Sequence, residues 1–240
     1  MKTNPPDFGK LYLIPTTLGI TEPLEVLPLT IKRTIEQIDH FIVENEKTAR
    51  RFIKKITPRK TQSLLHISLL NKFTEPELLP GYLQPCLMGQ PVGVLSEAGC
   101  PAIADPGAVI VRLAHEKGIQ VVPLVGPSSI ILALMASGLN GQNFAFNGYL
   151  PIDTANRKKT IKQLEKKSRE TGQTQLFMET PYRNEKLISE LLKSLNGETS
   201  LCIAADITLK TEWIRTLKVS EWGPHLPDLN KRPAIFAIQA

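Results

Sequence analysis

The twelve residues SEAGCPAIADPG (96–107) hold two acids, two glycines and two prolines, directly behind the apolar run PVGVL. Glycine lets a backbone approach a ligand or take a positive φ, and proline stiffens a turn. The carboxylates of Glu97 and Asp105 accept from hydroxyls or amines. The stretch therefore reads as a rigid loop at a strand end, shaped to hold something polar. PTTLG (15–19) and VENE (43–46) are built alike. GPSS (126–129) is a helix start, where serines cap and free N–H donors face outward. Glu44, Glu97, Asp105 and Asp206 all fall at predicted strand ends. Each could serve as a base, a helix cap or a ligand for a cofactor hydroxyl. For Asp105, followed by Pro106 and Gly107, a turn role weighs more than a chemical one.

Several chemistries are excluded. There is no GxxxxGK[ST] phosphate loop, no three-glycine dinucleotide fingerprint and no GxSxG elbow. Cys86, Cys100 and Cys202 are far apart, which argues against a disulfide framework or a zinc site. His40, His66, His115 and His225 form no HExxH, so no metal is expected and each reads as a surface or strand-end residue. No apolar run approaches the roughly 20 residues that span a bilayer, and the start MKTNPPDFGK lacks a signal-peptide core. The expected location is the cytoplasm, with no membrane partner. The net charge of +6 permits an anionic partner, nucleic acid above all. ARRFIKKITPRK (49–60) and NRKKTIKQLEKKSRE (156–170) concentrate that charge. No aromatics interleave them to stack bases, and solvated helix faces are the plainer reading.

The elements that must position these residues follow from period and punctuation. Strands are expected at 10–15, 40–45, 64–69, 92–95 and 119–124. Helices are expected at 28–38, 46–56 and 108–118, with 75–89 a helix broken by Pro80 and Pro85. This alternation argues a parallel sheet flanked by helices, with ligands at the carboxyl ends of its strands. A second domain begins near 125, so the expected division is 1–124 and 125–240. In the second part, helices are expected at 156–170 and 183–195, and strands at 144–151, 174–181, 200–206, 213–219 and 233–240. The last two strands have no room for a helical crossover, so that sheet should be mixed. The fold class is α/β, two domains with a ligand cleft.

LYLIPTTLG, FIVENEKTARRFI, GVLSEAGCPAIADPGAVIVRLAHEKGIQVVPLVGPSSIILALMASGL, FAFNGYLP and LFMETPYR together resemble the tetrapyrrole (corrin/porphyrin) methylase superfamily. The nearest branch is the one that methylates ribose 2′-hydroxyls of a cytidine in small-subunit ribosomal RNA. The resemblance runs from about residue 10 to the C-terminus and is most specific over 93–151. It implies a homodimeric methyltransferase holding S-adenosylmethionine between its two domains. Ser96, Glu97, Ala98, Gly99, Ala102, Ile103 and Ala104 would wrap the cofactor, above Pro15 and Leu18. Ser128 and Met178 would reach it from the second domain. Gly99 would be the point where backbone meets ligand. The implied acceptor is RNA of the small ribosomal subunit. A tetrapyrrole or other anionic small molecule is a second reading, and a cofactor-binding protein without chemistry a third.

The chain departs from that branch's pattern at named positions. ENEKTAR stands for EDTR, with Asn45 in the acid's place, and Glu97 and Cys100 replace Asp and Thr in the S-D-A-G-T-P loop. AADITLKTEW replaces the A-R-E-[LI]-T-K…H-E segment, with Ala205 for an arginine, Asp206 for the glutamate and Thr211 for the histidine. The catalytic base is left unassigned.

Overall fold

The computed structural model describes residues 7–240; the polar start, residues 1–6, lies outside the described residues. The chain divides into two compact units, one running to Pro127 and the other from Ser128 to Ala240.

The first unit runs β1 (Leu11–Ile14), α1 (Pro23–Val26), α2 (Leu29–Gln37), β2 (His40–Val43), α3 (Glu46–Ile56), β3 (His66–Leu69), α4 (Leu79–Tyr82), α5 (Gln84–Leu87), β4 (Val92–Leu95), α6 (Ala108–Glu116) and β5 (Val121–Pro123). The sheet order is β3-β2-β4-β1-β5, and every pairing is parallel. Short apolar strands alternate their side chains between two faces. Phe41 and Val43 join Ile31, Ile35, Ile53 and Ile56 from α2 and α3. Ile42 and Val94 join Cys86 of α5 with Ile110 and Ala114 of α6. The result is three layers, helix–sheet–helix. Each fully buried isoleucine contributes about 2 kcal/mol relative to an exposed one.

The expected elements appear, with two adjustments. The third strand starts at His66, because Gln62–Leu64 closes into a 3₁₀ turn first. The stretch 75–89 is three short turns, with Pro80 and Pro85 each in the first turn of a new helix, where the missing N–H costs nothing.

The strand order makes one crevice. From β1 the chain crosses one way to β2; from β4 it crosses the other way to β5. β1 and β4 are neighbours, so their two following loops part at a topological switch point, the usual place for a ligand.

The second unit runs α7 (Ser129–Ser137), β6 (Phe144–Tyr149), α8 (Thr154–Thr171), β7 (Thr174–Met178), α9 (Asn184–Ser194), β8 (Ser200–Ala205), β9 (Trp213–Lys218) and β10 (Ala234–Gln239). Its sheet is mixed, in the order β6-β7-β10-β8-β9: β6 and β7 are parallel and the other pairings antiparallel. α8 and α9 cover one face with Ile161, Leu187 and Leu191 against Phe177, Ile203 and Phe236. The fully buried Trp222 closes that core and donates its ring N–H to the Leu201 carbonyl at 3.3 Å. α7 packs on β8, β9 and β10. The small side chains Cys202, Ala204 and Ala237 alternate away from the α8–α9 core and make room for it.

Candidate functional site

The loop after β1 is tied directly to the loop after β4. The Thr16 amide donates to the Gly99 carbonyl at 3.0 Å, and Thr16 Oγ1 donates to the Ser96 carbonyl at 3.2 Å. Ser96 Oγ in turn donates to the Gly99 carbonyl, so the 96–99 turn is held from inside. Pro15, Thr16, Ser96 and Gly99 are buried, while Glu97 and Ala98 stand exposed at the rim. Gly99 has φ +75°, and a Cβ there would lie 3.0 Å from Leu18 Cδ2 and 3.2 Å from the Pro127 carbonyl. Glycine is favoured there because the backbone is left-handed and the loop packs on Leu18 and on the Pro127 turn.

The second half of the loop is strained. Ala102 and Ala104 are left-handed, at φ 66° and 56°. Each such residue costs about 1 kcal/mol or more, and this strain persists only where surroundings hold it. Asp105 does the holding. Its Oδ1 accepts from the Ala102 amide at 2.7 Å and the Gly107 amide at 2.6 Å. The turn role weighed for Asp105 in the sequence is the one the geometry shows. Ile103 and Ala104 stand exposed, and their amides donate to no backbone carbonyl among the described residues. Both amides are thereby left without a protein acceptor among the described residues.

Three carboxylates meet at the ends of β2 and β4. Glu44 is half-buried, and burial raises its carboxyl above the ordinary value; the charges of Asp105 and then Glu97 add to that. The nearby Glu97 backbone works against the rise. Glu97 is held by Thr48, whose Oγ1 donates to it at 2.6 Å. Asn45 caps α3, its Oδ1 accepting from the Lys47 and Thr48 amides at 3.0 and 3.2 Å. The asparagine thus performs an acid's capping role without adding a fourth charge. Cys100, standing for a threonine, turns its Sγ to the Pro127 carbonyl at 3.4 Å, and burial pushes its thiol pKa up. It is a packing group, not a nucleophile.

The fourth acid differs. Asp206 is buried with φ +51°, and its Oδ2 accepts from Thr211 Oγ1 at 2.8 Å and from Arg232 Nε at 2.7 Å. Arg232 also donates to the Thr211 carbonyl at 2.6 Å. Asp206 is therefore no free base; it anchors the turn between β8 and β9. Thr211, in the histidine's place, is its hydrogen-bond partner, and Ala205 lies fully buried in the sheet. Ser128 caps α7, accepting from the Ile131 amide at 3.4 Å, and Met178 ends β7 half-buried; both belong to the second unit.

Sequence reasoning missed several groups. Thr16 carries the tie between the loops, and the PTTLG hydroxyls were its only sign. Gly126 has no room for a side chain, since a Cβ would lie 2.2 Å from Pro15 Cβ. Glu179, directly after Met178, is buried with one oxygen held by the Thr180 amide and Arg183, both at 2.6 Å, and the other without a partner among the described residues. His40 and His66 stack at 4.7 Å at the starts of β2 and β3, the end of the sheet opposite the acid loops.

A cofactor with hydroxyls and a polar tail fits what is here. The first unit offers exposed loop amides, two carboxylates with free acceptor capacity and an apolar wall of Pro15 and Leu18. Among the described residues no group of three His, Cys, Asp or Glu could hold a metal ion, and no helix is long and apolar enough to cross a membrane.

Comparison with known proteins follows the same lines. The family model described as Tetrapyrrole (Corrin/Porphyrin) Methylases matches residues 10–222. The chain is 29% identical to a ribosomal RNA small subunit methyltransferase I of Vibrio cholerae, over 92% of this chain and 72% of that protein. Among solved structures, a cobalt precorrin-4 methyltransferase of cobalamin biosynthesis aligns with TM-score 0.61 at 15% identity, covering 100% of this chain and 98% of that one. A uroporphyrin-III C-methyltransferase from Thermus thermophilus, complexed with S-adenosylhomocysteine, aligns with TM-score 0.56 at 14% identity, covering 96% and 97%.

Proposed function

The chain belongs to the tetrapyrrole (corrin/porphyrin) methylase family and is an S-adenosylmethionine-dependent methyltransferase, and we propose that it methylates a ribose 2′-hydroxyl of small-subunit ribosomal RNA. The Vibrio cholerae relative, named for that RNA subunit and matched over nine-tenths of this chain, carries the choice of acceptor. The net charge of +6 agrees with a polyanionic partner. The same reading gives a cytoplasmic homodimer.

When bound, S-adenosylmethionine supplies an electrophilic methyl on a sulfonium whose positive charge disappears in the transfer. A site for it must align rather than attract, because a strong anion would favour the charged ground state. The crevice loops suit that task. Thr16, Ser96 and Asp105 lock the backbone, while the amides of Ile103 and Ala104 and the carboxylate of Glu97 are left for the ligand's polar groups. Pro15, Leu18, Ala98 and Ala102 shape the wall around them; Ser128 and Met178 are the further cofactor residues that the family resemblance implies. A ribose hydroxyl is a weak acid and needs a proton acceptor. Of the four strand-end acids, Asp105 is bound by two amides, Asp206 by Arg232 and Glu97 by Thr48. Glu44 is the one whose surroundings favour taking up a proton.

The decisive test is transfer of labelled methyl from the cofactor to 30S subunits, to naked ribosomal RNA and to a tetrapyrrole extract. Label in ribosomal RNA ribose is expected. Label only in the extract, or none with the cofactor bound, overturns the acceptor assignment.

A further inference from the structure

A cavity of ≈ 180 Å³ opens between the loop after β1 and one face of α3, lined among others by Thr17, Thr21, Thr48, Arg51, Lys55 and Glu97. Pockets for drug-sized ligands measure about 300 Å³ or more, so this one suits a fragment rather than a whole nucleoside cofactor. Its charges are sorted along the helix. Glu97 marks one end, held at 2.6 Å by Thr48. At the other end Lys55 donates to the Thr21 carbonyl at 2.8 Å and pairs with Glu22 at 3.1 Å, which neutralises it. The side chain of Arg51, between them and exposed, makes no hydrogen bond or ion pair among the described residues. Its neighbour Arg50, by contrast, is fully engaged with Glu46 and the Gln62 carbonyl. Ala49, Phe52 and Leu95 give an apolar wall. A free guanidinium, hydroxyls on the facing loop and a carboxylate one helical turn away match an anion joined to a hydroxyl-bearing ring.

We propose that this cavity binds one ribose–phosphate unit of the acceptor RNA, with the Arg51 guanidinium on the phosphate. The phosphate sits at Arg51, away from Glu97, which repels it, and the Thr17 and Thr21 oxygens accept from ribose hydroxyls. The guanidinium's planar fork matches two phosphate oxygens at once, which an ammonium cannot do. The proposal rests on RNA being the acceptor.

The probe is a fluorescein-labelled single-stranded RNA ten-mer, titrated with the full chain from 50 to 200 mM salt and read by anisotropy. Arg51→Ala should weaken binding about tenfold. It should also flatten the plot of log affinity against log salt by about 0.7, the share of one phosphate on a single strand. Arg51→Lys should restore the slope but not the full affinity. Lys167→Ala, on α8, serves as the remote control and should keep wild-type affinity. S-adenosylmethionine affinity should be unchanged in Arg51→Ala, which also shows that the variant is folded. Wild-type affinity and slope in Arg51→Ala overturn the proposal, as does absence of ten-mer binding by the wild type at 50 mM salt. Methylated 30S subunits with a silent Arg51 would remove the cavity assignment alone. Arg51-dependent binding without label in ribosomal RNA would instead remove the acceptor assignment and leave the cavity as an RNA site.

Discussion

Glu44 and Asn45, adjacent in sequence, meet the same three-carboxylate cluster in opposite ways. Asn45 caps α3 while staying neutral, so removing its side chain should cost about 1 kcal/mol, the usual value of a lost cap. Urea unfolding of Asn45→Ala should show this as a lower midpoint with an unchanged slope, and Asn45→Asp should keep the cap. Glu44 responds to pH. Its carboxyl is raised by burial first and then by Asp105 and Glu97, so the folded chain binds that proton more tightly than the unfolded chain does. The stability this gives is complete below the unfolded value, about 4.3, and is lost as pH rises through the folded one. Glu44→Gln keeps a neutral side chain at every pH. Its melting temperature should therefore gain on the wild type's as pH is raised from about 4 to 7. A constant difference across that window would show that Glu44 ionises as a free carboxyl does.

Among the elements, the loop 96–107 does most to connect sequence with site. Its composition announced a rigid ligand loop, and its position at the end of β4 followed from the apolar run before it. What composition could not announce is which contacts are internal. The φ of +75° at Gly99 serves packing on Leu18, and the left-handed Ala102 and Ala104 carry no residue-type signal, since alanine rarely adopts that conformation. Asp105 tests the division. Asp105→Ala leaves the Ala102 and Gly107 amides without their acceptor, a loss of about 1–3 kcal/mol. It should also weaken S-adenosylmethionine binding, because the strained half of the loop is no longer held. Asp105→Asn keeps an oxygen for both amides and should bind the cofactor and turn over nearly as the wild type does. Collapse of kcat in Asp105→Asn with cofactor affinity intact would restore Asp105 as a base. The corner at Asp206 stayed open in the sequence for a related reason. A strand-end acid looks free until Arg232, twenty-six residues away, is folded against it.

At the scale of the whole molecule, the layers were legible because alternating short strands and amphipathic helices leave few ways to bury both sheet faces. The mixed second sheet followed from the lack of a crossover before the last strand. α7 was not legible in the same way, being apolar nearly all round, which suits a core helix or an interface equally. In the structure Ile130, Ala133 and Leu134 are buried, while Ile131 is 43% and Met135 72% exposed. Two large apolar side chains one turn apart on an exposed helix face are what a subunit interface requires at its centre. With the homodimer implied by the family resemblance, this gives the last expectation. Multi-angle light scattering should return about twice the 26.7 kDa of one chain at working concentration. Met135→Glu should shift the population toward the single-chain mass without lowering the melting temperature of the monomer, since an exposed methionine contributes little to its own fold. A wild-type mass of one chain would refute the dimer. A dimer indifferent to Met135→Glu would move its interface elsewhere on the surface.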